Sequence, residues 1–241
     1  MHEFSQIRND RRFFMLVALA FATLVLVGFA RTYYLRTLFH LPPLSSFLEF
    51  HGALMSGWIG LLLVQTILVA TGHVEWHRKL GVAGAAYAAL IVPIGCLATL
   101  GAAQREVRAH SSFVHGQLNV LGLELMQMAL FACFVGAAVW LRYRTDIHKR
   151  LMIIATLCIL PNAIVRLSMQ TSIDIFHTNF AILSVWALIV LATVAFDSFR
   201  NGRVHPAFAW SAPIAIGLLY IAWWGSRTGI WDQFWNRVLS A

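Results

Sequence analysis

Long apolar stretches alternate with short polar segments along most of this chain. Seven stretches are long enough to cross a bilayer, because a spanning helix needs about 20 apolar residues. They lie at about residues 13–35, 46–71, 78–101, 112–141, 148–168, 177–198 and 207–225. The pattern predicts an all-α, polytopic membrane helical bundle of about seven spans, which forms a single integral membrane domain over residues 1–241.

Four histidines lie at the starts of four consecutive apolar stretches, and they form two matched pairs. His51 and His115 each begin the motif His-Gly-x-Leu. His77 and His148 each occupy the third position of the motif acid-x-His-basic-basic-Leu. Spans two to five therefore resemble a duplicated two-helix unit, with repeats at about 45–101 and 112–168. Sites in membrane proteins often lie between such repeats.

Several residues mark the predicted helix boundaries. Ser46 and Glu49 have the spacing of a capping box at the start of the second span. Asp146 is placed as the N-cap of the fifth span, and Pro206 suits the first turn of the seventh. The tryptophan-rich C-terminal tail, which follows the seventh span, is typical of an interfacial segment.

Composition and charge support a membrane protein with cations at its surfaces. The chain is 59% hydrophobic and 12% charged, and its net charge is +8. The basic residues lie in short loops, where they set topology and meet lipid headgroups, so no nucleic-acid partner is indicated. Lysine and arginine number 11 on the side of the N-terminus and 7 on the other. This bias predicts a cytoplasmic N-terminus in a bacterial inner membrane.

The paired histidines are candidate cofactor or metal ligands. With this topology, His51 and His115 lie near one membrane surface, and His77 and His148 lie near the other. Each pair comes from helices that run in the same direction, so two imidazoles can converge on one haem iron or contribute to a metal site. The positive end of each helix dipole also favours the neutral imidazole that ligation requires. Small residues one and two turns after three of the histidines, among them Gly81, Gly84 and Gly122, predict space for a flat group.

Four cations accompany the second pair of histidines: Arg78, Lys79, Lys149 and Arg150. At helix N-termini they are candidates to hold an anion, such as a haem propionate, a phosphate or a lipid headgroup. The alternative is that these sequences are ordinary interfacial segments with N-caps, and that the small residues serve helix packing.

Two formal charges lie within the fourth and fifth spans, Glu124 and Arg166. Charges inside spans are costly and commonly functional. Glu124 is a candidate proton carrier, a partner for Arg166, or a buried protonated acid. Because it is nine residues from His115, it lies on the opposite side of the helix. Arg166 is close enough to a span end to reach the surface.

At the membrane surface near which His51 and His115 lie, these two residues with His177 form an alternative zinc or copper site.

The order of these motifs resembles the ascorbate-reducible di-haem transmembrane cytochromes of b type. The resemblance covers roughly residues 45–170, and it implies that His51 pairs with His115 and His77 with His148 as axial ligands of haem b. His77 and His148 lie closer to their helix ends than the ligands of that family. The string from His51 to Gly81, HGxxxxxW…Q…HRxLG, also resembles bacterial multi-pass membrane proteins of unassigned function.

The leading hypothesis is therefore a transmembrane haem protein, with a transmembrane oxidoreductase activity left open. It would carry electrons from a small donor or quinol on one face to an acceptor on the other. The alternatives are a non-redox transporter, an assembly factor that contacts subunits of a respiratory complex, and a zinc- or copper-dependent membrane protein.

Overall fold

The computed structural model describes residues 2–109, 114–170 and 178–240, and these ranges contain helices and short connections but no strand. Side chains at 2–9, 114–117, 119, 230, 232, 236, 239 and 240 are outside this description. The helices are α1 (His2–Phe29), α2 (Ser46–Ala70), α3 (Val74–Arg108), α4 (Val114–Trp140), α5 (Thr145–Ile159), α6 (Pro161–Ser168), α7 (Asn179–Asn201), α8 (Pro206–Arg227) and α9 (Ile230–Ser240). A π-helical turn, Ala30–Tyr34, follows α1.

Seven segments of this chain are long and apolar enough to cross a membrane, which confirms the prediction of a helical membrane bundle. Helix α1, α2, α3, α4, α7 and α8 each supply one, and α5 with α6 supplies the remaining one. We call the end of the bundle at which α1, α3, α5 and α8 begin the N face. The opposite end, at which α2, α4 and α7 begin, is the C face.

The four helices that carry the paired histidines pack in chain order. Helix α3 packs against α2 and α4, and α4 packs against α5. Helix α1 packs against both α2 and α6, and thereby closes the group. The pairs α2–α4 and α3–α5 are not among the closely packed pairs of the described residues. Each pair of histidine-bearing helices is therefore diagonal across the group.

Helix α5 lies at the centre of the bundle. Its span is 72% buried by protein, the largest share of the seven, because it is apolar on all sides and meets other helices all round. Two indoles fix its position by hydrogen bonds. Trp58 of α2 donates to Thr156 Oγ1 at 3.2 Å, and Trp186 of α7 donates to the Leu157 carbonyl at 2.7 Å. The middle of the bundle around α5 is thus closely packed.

The fifth span was predicted as one continuous helix, but it consists of two helices. Helix α5 ends at Ile159 and α6 begins at Pro161. Proline has no N–H to donate to the preceding turn, and its ring displaces the carbonyl four residues earlier, so the helix breaks there. The third span forms a helix that is longer than predicted. It was predicted at 78–101, but α3 runs from Val74 to Arg108, because the polar residues after the apolar run still favour a helix.

Two predicted helix caps are wrong by one or two residues. The N-cap of α2 is Ser45, whose hydroxyl accepts from Leu48 N, rather than Ser46. Arg144 precedes α5, and Asp146 lies in its first turn, where its carboxylate contacts His205 Nε2 at 3.0 Å. The position of Pro206 in the first turn of α8 is confirmed.

The C-terminal tail forms α9, which packs against α3, α4 and α8 rather than lying only on the membrane surface. Trp231 and Trp235 stack with their ring centres 6.2 Å apart. Trp235 contacts a small cluster of buried side chains, Ala103, Leu118 and Leu121, from α3 and α4. The aromatic rings of the tail therefore attach it to the bundle at the C face.

Candidate functional site

At the N face, the rings of His77 and His148 approach each other across the diagonal between α3 and α5. Their centres are 6.3 Å apart and their planes are inclined by 79°. Each histidine is the fourth residue of its helix, and each side chain is half-buried. Short connections after α2 and α4 start both helices at the same level, so the matched motifs bring the two rings together.

The ring of His148 is oriented by a backbone carbonyl. Its Nδ1 lies 2.8 Å from the carbonyl oxygen of Ala138, near the end of α4. An N–H at Nδ1 donates to that oxygen, and Nε2 is then the unprotonated nitrogen of the neutral ring. This arrangement is typical of metal-ligating histidines, whose second nitrogen donates to a carbonyl or carboxylate.

The ring of His77 is held by Gln65 from the last turns of α2. The Gln65 carboxamide lies 2.6 Å from His77 Nδ1, 3.2 Å from the His77 carbonyl oxygen and 3.1 Å from the Gly81 amide. In one orientation its NH₂ group donates to Nδ1 and to the carbonyl, and its oxygen accepts from Gly81 N. After a half-turn of the amide, the oxygen accepts from an N–H at Nδ1. The orientation of Gln65 therefore selects the tautomer of His77.

At the C face, His51 lies in the second turn of α2, and its Nδ1 is buried without a hydrogen-bond partner among the described residues. The glycine after it has a packing role, because a β-carbon at Gly52 would overlap the ring of Tyr33. The Tyr33 hydroxyl donates to the Glu49 carbonyl at 2.8 Å. His115 is the second residue of α4, but its side chain lies outside the described part, and His177 lies outside the described residues altogether.

Three of the four predicted anion-binding cations contact carboxylates of the protein. Arg150 forms a bidentate pair with Asp197 and also donates to the Asp146 carbonyl. Lys149 contacts Asp10. Lys79 pairs with Glu75 at 3.1 Å, and both side chains are exposed. Arg78 is exposed and forms no ion pair within the described part of the chain. Of the four, Arg78 is the cation whose charge is not matched by a neighbouring carboxylate.

The glycines near the histidines do not leave the space that the sequence predicted. A β-carbon at Gly84 would lie 3.1 Å from Leu61 of α2, and one at Gly122 would lie 3.4 Å from Trp231 of α9. Gly81 faces the Gln65 carboxamide. These glycines serve close packing and the orientation of Gln65. Any space for a flat group therefore has to lie between the diagonal helices, α2 and α4 or α3 and α5.

Glu124 and Arg166 lie in one region in the C-side half of the bundle. Glu124 lies near Thr99 of α3 and near Arg166 of α6. Arg166 in turn lies near Arg36, which follows the π-helical turn. No ion pair closer than 4.0 Å joins Glu124 to Arg166 in the described ranges. On the next turn of α4, Gln127 is 1% exposed, and its Oε1 has no hydrogen-bond partner there.

Sequence reasoning missed Asp197, Asp10 and Gln65. For Asp197 a signal was available in the sequence, because it is a carboxylate at the end of an apolar run.

Groups of three or more metal-ligating side chains do not occur among the described residues. Comparison of the chain with protein-family models, with curated proteins and with solved structures finds no match.

Proposed function

We propose that the protein is a transmembrane electron carrier that holds one haem b near each membrane face between two histidines. His77 and His148 would bind the haem at the N face, and His51 and His115 the haem at the C face. The observation that carries the proposal is the approach of the His77 and His148 rings from helices that are diagonal in the bundle. When bound, haem supplies an iron that is reduced and oxidised by one electron.

The distance between the two rings supports this assignment. Metal–nitrogen bonds of about 2 Å to one nitrogen of each ring place the ring centres about 6 Å apart. The observed separation is 6.3 Å. His148 already has the hydrogen bond that a ligand needs, from Nδ1 to the Ala138 carbonyl. His77 needs the orientation in which the Gln65 oxygen accepts from Nδ1–H, so that Nε2 is unprotonated. That rotation turns the Gln65 oxygen toward the His77 carbonyl and its NH₂ group toward the Gly81 N–H, so an axial pair would form at the cost of those two hydrogen bonds.

The remaining residues of the N face orient the ligands and balance charge. Arg78, adjacent to His77 and without an ion pair in the described ranges, is the cation best placed for a haem propionate. Lys79, Lys149 and Arg150 contact Glu75, Asp10 and Asp197 instead, so the proposal assigns them to the protein's own charges. The close packing around α5 would limit the access of water to the midplane.

The topology sets which side of the membrane each haem would face in this proposal. The excess of lysine and arginine at the N face supports an orientation in which that face would lie in the cytoplasm of a bacterial inner membrane. Electrons from a small donor or a quinol would then enter at the C face and leave at the N face, or the reverse. Bis-histidine ligation leaves no open iron position, so the haems would carry electrons rather than bind substrate.

A reduced-minus-oxidised visible spectrum tests the proposal. The chain is purified in mild detergent from cells supplied with haem, beside His148→Ala and a matched control, His73→Ala. His73 is exposed and lies at the same face, and its ring contacts the Thr71 hydroxyl. We expect sharp reduced bands, partly lost in His148→Ala and intact in the control. A colourless protein that also fails to take up added haem would contradict the proposal; zinc or copper found by metal analysis would then support the metal-site alternative.

A further inference from the structure

His205 is hydrogen-bonded through both nitrogens of its ring at the start of α8. Its Nδ1 accepts from the backbone N–H of Ala207 at 3.1 Å, so the side chain caps the helix. Its Nε2 lies 3.0 Å from Asp146 Oδ2 in the first turn of α5. The ring therefore joins the first turns of two helices at the N face. The electron-transfer proposal assigns it no role.

These two contacts fit one protonation state of the ring. A nitrogen that accepts from an N–H must carry a lone pair, and a carboxylate is only an acceptor. Nδ1 is therefore unprotonated and Nε2 carries the hydrogen, which is the neutral imidazole. A second proton would place a hydrogen on Nδ1 opposite the Ala207 N–H, so that two donors would face each other. The protonated ring can keep its bond to Asp146, but it cannot cap α8.

The Ala207 amide depends on this cap. Pro206, the first residue of α8, has no N–H, and the amides of Phe208 and Ala209 reach the His205 carbonyl at 2.9 and 3.0 Å. Within residues 206–209, Ala207 is thus the residue whose N–H needs a side-chain acceptor. Ala207 is 1% exposed, so water has little access to replace the ring. Loss of the cap would leave this amide unpaired until the turn opens.

The charges around His205 leave Asp146 as the partner of a protonated ring. The charged groups at this face are Asp10 of α1, Asp146, Lys149 and Arg150 of α5, Asp197 and Arg200 of α7, and Arg142, Arg144 and Arg203 in the connections. Arg150 pairs with Asp197, and Lys149 and Arg200 contact Asp10. Within the described part of the chain, the Asp146 carboxylate forms its ion pair with His205. The positive end of the α8 dipole opposes a charge on the ring. Both effects draw the protonated ring from α8 toward α5.

We propose that His205 is a pH-sensing group at the N face, which releases the first turn of α8 when its ring binds a second proton. An unperturbed histidine changes its charge between pH 5 and 8. At the upper end of this range the neutral ring holds the start of α8 to α5, and at the lower end the ring stays with Asp146 while the cap opens. Asp146 lies two residues before His148, so the contact that loosens adjoins the turn of that histidine. The proposal does not depend on haem binding.

Hydrogen–deuterium exchange at the Ala207 amide tests this response in the full-length protein in lipid nanodiscs. The rates are divided by the intrinsic rate at each pH to give protection factors. We expect protection to fall by about 5–30-fold between pH 8 and pH 5, the range that corresponds to loss of a side-chain N-cap. His205→Asn is the matched control, because its carboxamide oxygen can cap the helix and does not titrate. Protection should be high in this variant and low in His205→Ala at both pH values.

Nitrogen NMR of ring-labelled histidine observes the protonation state directly. We expect Nδ1 of His205 to be unprotonated at pH 8 and both nitrogens to be protonated at pH 5. Asp146→Asn keeps an acceptor for Nε2–H but removes the charge, so the fall in Ala207 protection should move to lower pH. Protection that is constant from pH 5 to 8, an equal pH dependence in His205→Asn, or a neutral ring with its hydrogen on Nδ1 would overturn the proposal.

Discussion

Arg150 of α5 and Asp197 of α7 form a bidentate ion pair inside the bundle near the N face. Arg150 Nε and Nη2 each donate to one carboxylate oxygen at 2.9 Å. The third donor, Nη1, reaches the Asp146 carbonyl at 2.9 Å. The side chains are 3% and 0% exposed, so neither charge has water as an alternative partner. The pair connects the central helix to α7, although the two helices are distant in sequence.

Removing one partner of this pair should destabilise the protein strongly. Asp197→Ala leaves a buried guanidinium without its carboxylate, and such changes cost about 3–5 kcal/mol. The double variant Arg150→Met/Asp197→Leu should recover most of that loss, because no unpaired charge remains. The free energy of unfolding of the single and the double variant is measured in mixed detergent micelles. Lys79→Ala, which breaks the exposed pair with Glu75, is the control and should have little effect. Equal stability of Asp197→Ala and Lys79→Ala would disprove the role given to Asp197.

The docking of α9 should depend on one glycine and not on another. A β-carbon at Gly225 would overlap the indole nitrogen of Trp231, so the Trp231 ring would have to move away from α8. A β-carbon at Gly122 meets the same indole at 3.4 Å, an ordinary contact. Gly225→Ala should therefore speed hydrogen exchange and proteolysis across residues 230–240, and Gly122→Ala should not. Similar behaviour of the two variants would show that Trp231 does not anchor α9 as described.

The hydrogen bond from Trp58 to Thr156 should couple α2 to α5. Trp58 is 2% exposed, and its indole donates to the threonine hydroxyl at 3.2 Å. A double-mutant cycle with Trp58→Phe and Thr156→Val isolates this bond from the change in ring packing. Hydrogen bonds between membrane helices contribute on average about 0.6 kcal/mol, and we expect a coupling energy of that order. Strictly additive effects of the two substitutions would argue against the bond.

Gln65 should tune the reduction potential at the N face, provided that His77 is a haem ligand. An acceptor at Nδ1–H makes the imidazole more basic and favours the oxidised iron. Gln65→Leu removes that acceptor, so the potential should rise by about 40 mV, which corresponds to a hydrogen bond of about 1 kcal/mol. Gln65→Glu supplies a stronger acceptor and should lower the potential. A potential that is the same in both variants would remove Gln65 from the site.

The spans were predictable because each depends on a local property, the length of an apolar run. The break at Pro161 was also readable from the sequence, since proline cannot continue the hydrogen bonds of the preceding turn. The hydrogen bond from Trp186 to Leu157 was not predictable from the sequence, because it joins residues distant in the chain. The packing of α9 against the bundle was not predictable either, because its tryptophans suit a membrane surface and a protein surface equally well.

The candidate site was predictable in its helices and only partly in its side chains. The repeat led to the expectation that the helices of His77 and His148 can face each other, and the two rings lie 6.3 Å apart. It did not predict Gln65, because an amide within an apolar run has no characteristic spacing to its partner. The basic residues after each histidine were expected to bind anions, but Lys149 and Arg150 contact Asp10 and Asp197, acids in distant parts of the sequence.

A potentiometric titration of the purified protein, followed by its visible spectrum, tests whether the four histidines bind haem in two pairs. We expect two one-electron components. His77→Ala and His148→Ala should each delete the same component, and His51→Ala and His115→Ala should each delete the other, with His73→Ala retaining both. Removal of different components by His77→Ala and His148→Ala, or retention of both components in all four variants, would contradict the pairing on which the account depends.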